Sequence, residues 1–151
     1  MNRLTKFSLL ILLFLVANIA VAELVFPRQT LQLNKRAFQL ELADTNQRRS
    51  EGLMHRRSLA DEAGMLFLYQ RPGDYRIWMK NTLIPLLVIW LDAEARIIDL
   101  QMLEPCRVQN CPVYGPQQTS QFILELHPVH RTHFSIGDKL PSILTLNPTL
   151  Q

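Results

Sequence analysis

Leu31 and Leu33 alternate with polar neighbours, and Phe38, Leu40 and Leu42 do the same. That period of two predicts two strands or one bent strand. Asp44 and Thr45 are N-cap candidates for a short helix from 46 to about 54. Gly52 inside it marks close packing, or a helix end that turns Leu53 and Met54 inward. Residues 65–69 form a short apolar run, and Arg71-Pro72-Gly73-Asp74 predicts a turn after it. Residues 75–79 alternate as a strand. Residues 83–91 are apolar without alternation, as expected of a central strand covered on both faces. Asp92 to Ala95 reads as a hairpin turn into a strand led by Ile97, Ile98 and Leu100.

Residues 104–119 hold both cysteines and three prolines and read as a long loop. The next strand, 120–126, sets Phe122, Leu124 and Leu126 on one face. Pro128 suits the first position of one helical turn over 128–134. A last strand is expected over 140–146, with Pro141 at an edge, before residues 147–149 fray. Helices of about 10–15 residues between strands, which a parallel α/β layout needs, are missing from this pattern. The expected fold is mainly β: a small sandwich or closed barrel with one short helix after the first strands.

The leading segment changes the picture of where the chain acts. Arg3 and Lys6 precede an uncharged run over 7–16, and Ala20-Val21-Ala22 closes it as a small-residue cleavage site. That is the anatomy of a secretory signal over 1–22, leaving 23–151 as a single domain in the periplasm or outside the cell. The competing reading, an uncleaved anchor, has only the apolar stretch 7–22, against the roughly 20 residues a span needs. No Cys follows the run, so a lipoprotein signal is not expected.

Of the 16 basic residues the leader carries two and of the 13 acidic residues none, so the remaining chain is nearly neutral. Nucleic acid is therefore not an expected partner. A cluster of arginines runs from Arg48 to Lys80, read as a solvated face or a receiver for an anionic group. Cys106 and Cys111, the only thiols, are expected to form a structural disulfide pinning the Pro-rich loop and Tyr114. The redox alternative lacks the Cys-x-x-Cys spacing. His127, His130 and His133 with Met54, Met65, Met79 and Met102 raise a copper-binding reading. Their spacing matches no metal motif, so neither cofactor nor metal is expected.

Three blocks stand out together: Gly52-Leu53-Met54-His55-Arg56, Gly64-Met65-Leu66-Phe67, and Trp78-Met79-Lys80-Asn81-Thr82 with Ile84-Pro85. With Pro105-Cys106, Tyr114 and Leu124-Glu125-Leu126 following in order, the chain resembles the "domain of unknown function 192" family over roughly 31–146. The resemblance implies a compact, mainly β domain, often exported, with no established activity. Two positions depart from the family pattern: Leu87 stands where members commonly carry an acid, and His127-Pro128-Val129-His130 where a Gly usually follows.

Polar residues within the apolar blocks define the candidate site: Arg56, Trp78, Lys80, Asn81, Thr82, Tyr114 and Glu125. Strand alternation would put Trp78 with Lys80 on one face and Met79 with Asn81 on the other. The structural reading pairs Lys80 with Glu125 as a tie between strands. The functional reading is a small pocket of an exported binding or accessory domain, for an unknown small ligand or an envelope protein. In it Trp78 is a flat wall, Lys80 and Arg56 receive an anion, Asn81 and Thr82 orient it, and Tyr114 forms a rim. An enzyme with Lys80 as base or nucleophile, partnered by Glu125 or Tyr114, is the alternative. No Gly-x-Ser-x-Gly elbow accompanies it, which favours binding over catalysis.

Overall fold

A computed structural model describes residues 24–146; the predicted leader and the predicted fraying tail lie outside the described residues. Eight strands follow one another: β1 (Arg28–Leu33), β2 (Arg36–Ala43), β3 (Ala63–Gly73), β4 (Ile77–Trp78), β5 (Leu86–Leu91), β6 (Ile97–Leu103), β7 (Val113–Tyr114) and β8 (Ser120–Leu126). The helix α1 (Asn46–Glu51) lies between β2 and β3. Six strands form one sheet in the order β1-β2-β3-β8-β5-β6, and β4 pairs with β7 in a small second sheet. The fold is mainly β with a short helix, as the pattern predicts. The sheet does not close into a barrel: β1 and β6 are its edges, and among the described residues no ladder joins them.

One pairing in the large sheet is parallel. β2 and β3 run parallel, Leu40 opposite Gly64 and Leu42 opposite Leu66, so the segment with α1 is a crossover. Parallel neighbours need a long connection, usually carrying a helix. Here the helix spans only six residues and the rest is irregular, which hides the crossover from a periodicity reading.

Each face of the large sheet carries its own apolar cluster. On one, Phe38, Leu40, Leu66, Ile89 and Phe122 meet Phe134, Leu140 and Ile143 from the C-terminal segment. On the other, Met65, Phe67, Val88, Trp90 and Ile123 meet Leu53, Ile77 and Met79. β5 is buried along its whole length because it contributes to both clusters, as its unbroken apolar run predicts. Asp92 makes the turn into β6, its Oδ1 accepting from the amides of Glu94 and Arg96 at 3.0 and 2.8 Å.

Two further expectations change. The Arg71–Asp74 turn is replaced by an extension of β3 to Gly73, with the ladder to β8 interrupted between Leu68 and Gly73. Pro72 fits that irregular stretch, where no ladder donor is required of it. The expected last strand is a 3₁₀ helix, Pro141–Thr145. Three residues per turn bring Leu140 and Ile143 to the same side, and both are buried. The turn expected after β8 is present as the 3₁₀ helix Pro128–His133, with His127 as its N-cap. Cys106 and Cys111 are bonded, and the Cys106 amide donates to the Met79 carbonyl at 3.4 Å, tying the loop to the end of β4.

Candidate functional site

Glu125 lies in the middle of the large sheet, opposite Met65 of β3 and Val88 of β5. Phe122, Leu124 and Leu126 belong to the first cluster; strand alternation therefore sends Glu125 to the second face, beside Ile123. The residue is 4% exposed. Among the described residues its carboxyl makes no hydrogen bond or ion pair, and burial pushes its pKa up to about 8. Desolvation by burial disfavours the charged form.

The other two sequence blocks close over this carboxyl. α1 starts at Thr45, whose side chain accepts from the Arg48 amide, and ends at Gly52, whose amide donates to the Arg48 carbonyl. Gly52 has φ +52°, and a Cβ there would stand 3.3 Å from Phe67 Cζ. Glycine thus serves both the helix end and close packing. Behind it Leu53 is buried, and Gly52, Leu53, Phe67, Ile77, Trp78 and Thr82 wall a cavity of about 30 Å³ that Glu125 also lines. A space of that size admits one water-sized group. Trp78, 45% exposed, stands at its mouth.

The strand reading of residues 78–81 holds only in part. Trp78 and Lys80 do lie together, with Lys80 Nζ 5.0 Å from the indole centroid. Met79 is buried but Asn81 is exposed, because Asn81 is left-handed at φ 57° and the alternation stops there. Asn81 instead joins two blocks: its carbonyl accepts from the His55 amide at 2.8 Å, and its Nδ2 faces Met54 Sδ at 3.9 Å. Asn tolerates this backbone region better than branched residues. Asn81→Gly is therefore expected to leave stability nearly unchanged and Asn81→Val to lower it by about 1–3 kcal/mol, as measured by urea denaturation.

The remaining predicted residues lie elsewhere. Lys80 makes no ion pair with Glu125 among the described residues, so the strand tie is not formed. Arg56 is engaged by Glu41, Nη1 and Nη2 meeting the two carboxylate oxygens at 3.1 and 2.7 Å. Tyr114 sits opposite Ile77 on β7 and packs against the second cluster. Trp78, Thr82 and Glu125 thus line one cavity, Lys80 stands beside Trp78, and Arg56, Asn81 and Tyr114 are not part of its lining. The walls Phe67 and Ile77 are not among the expected site residues; Phe67 belongs to the Gly64–Phe67 block and Ile77 directly precedes the block that starts at Trp78.

His130 and His133 serve the opposite face. His130 is buried, its ring 4.8 Å from that of Phe38, and its Nε2 lies 2.6 Å from the Asp61 carbonyl oxygen. Among the described residues no three of His, Cys, Asp and Glu converge on a metal position. No described helix is long and apolar enough to cross a membrane.

The model of the family DUF192, "uncharacterized ACR", matches residues 29–141. The chain belongs to the DUF192 family. Two solved structures are similar to it. One, from Sinorhizobium meliloti and named as a candidate transcription regulator, is 26% identical, with 78% of this chain and 95% of that one covered and a TM-score of 0.64. The other, a protein of unknown function from Novosphingobium aromaticivorans, is 28% identical, with 80% and 87% covered and a TM-score of 0.65. No curated protein matches the chain. The blocks that carry the DUF192 resemblance are those that build the Glu125 cavity.

Proposed function

We propose that this DUF192 chain is an exported binding domain, and that it recognises its ligand by a group passed beside Trp78 onto Glu125. The leader and the disulfide support export. The observation that carries the binding reading is the Glu125 carboxyl, buried, unpartnered among the described residues and facing a cavity. Burying an acid on an apolar sheet face carries a desolvation cost, and a packing role alone is better served by an apolar side chain. A large aromatic at the mouth supplies apolar contact for the rest of the ligand. The anion-receiving pocket expected around Lys80 and Arg56 is not supported, since Arg56 is held by Glu41.

Thermal melts with a set of small amines, alcohols, amides and carboxylates test this. A ligand at 100 times its Kd is expected to stabilise the protein by about 2.7 kcal/mol. Glu125→Gln should abolish that gain and Trp78→Ala should reduce it. Stabilisation by every active compound that is unchanged in both variants would contradict the reading.

A further inference from the structure

We infer that the group received at Glu125 is a primary ammonium. This rests on the binding reading above and adds the chemical class of its ligand. The cavity offers acceptors. Beyond the carboxyl oxygens it has the Thr82 hydroxyl, which donates to the Lys80 carbonyl at 3.5 Å and keeps its lone pairs. The Met54 thioether and the Trp78 ring add electron-rich surface, and that ring already holds one ammonium, that of Lys80. An ammonium is all donor, with three N–H groups, and complements such a set.

An anion finds no free cation among the described residues that line the cavity. Arg49 does line it, but its guanidinium donates to the Leu68 carbonyl at 2.8 Å and to Asn46 Oδ1, and lies 4.9 Å above the Tyr69 ring. A trimethylammonium head has no N–H to donate and cannot serve these acceptors.

The titratable groups around Glu125 are Arg49 and Glu51 from α1 and Tyr69 from β3, the last held neutral by burial at about 12. The β4 and β5 sides present Ile77, Trp78 and Val88, none of them titratable. An entering ammonium keeps its protons and pairs with the ionised carboxylate, so the Glu125 proton leaves to solvent. Below pH 8 the affinity should rise about tenfold per pH unit, then level until the amine loses its own proton near about 10.4.

Calorimetric titration of the purified protein with pentylammonium chloride, in two buffers of different ionisation enthalpy, tests this. The expected result is binding with release of close to one proton at pH 7, and at least tenfold weaker binding at pH 8 with Glu125→Gln. 1-Pentanol, valerate and pentyltrimethylammonium should not bind. Cadaverine and Nα-acetyl-lysine N-methylamide separate a free diamine from a protein lysine as the source, and tighter binding of either supports the inference. Binding of pentanol or valerate that is lost in Glu125→Gln, without binding of pentylammonium, overturns the ammonium class and leaves the binding reading standing. No binding of any probe that responds to Glu125→Gln or Trp78→Ala overturns both.

Discussion

Replacing Glu125 by glutamine is expected to remove most of the fall in stability that the wild-type protein shows between about pH 4.5 and 8. The carboxyl titrates near 4.5 when unfolded and at about 8 when folded. Between those values the folded state holds a proton that the unfolded state has released. Stability is therefore greatest below the unfolded value and declines as pH rises through the folded one, by about 1.4 kcal/mol per pH unit. Over the whole window the loss is on the order of several kcal/mol. Glutamine keeps the shape and cannot titrate. Urea midpoints at several pH values, compared between wild type and variant, isolate this group from the histidines. Parallel pH profiles would mean that Glu125 does not carry the effect.

Gly64→Ala is expected to cost about 3 kcal/mol. Gly64 sits in β3 opposite Leu126, and a Cβ there would stand 2.5 Å from the Glu125 carbonyl oxygen and 2.6 Å from Leu126 Cδ2. The nearest atom belongs to the backbone of a central strand, which cannot move without disturbing ladders on both sides. Gly115→Ala is the control, since the nearest atom to its added Cβ is Arg76 Cγ at 3.0 Å, on a flexible side chain. A loss below about 1 kcal/mol for Gly64→Ala would show that β3 and β8 can separate more easily than the register implies.

Much of the fold is legible in the sequence because burial follows periodicity. The unbroken run of β5 announces a strand covered on both faces, and Gly52 announces a helix end. The parallel β2–β3 pair is not legible, because α1 is too short to leave a helical period. Leu140 and Ile143 read as strand residues because a short 3₁₀ turn and a strand both bury scattered apolar positions. In the site, Glu125 is visible as an acid among leucines. Its separation from Lys80 is not, since the strand ends at Trp78 and Lys80 already lies in a turn. Arg56 escapes a sequence reading for a related reason: its partner Glu41 lies 15 residues back, on β2.

The most direct measurement follows the side-chain carboxyl carbon of Glu125 by NMR through a pH titration of the ligand-free protein. A midpoint near 8 is the predicted result. A midpoint near 4.5 would mean that the carboxyl is hydrated or paired, and the cavity would lose the group on which its chemistry depends.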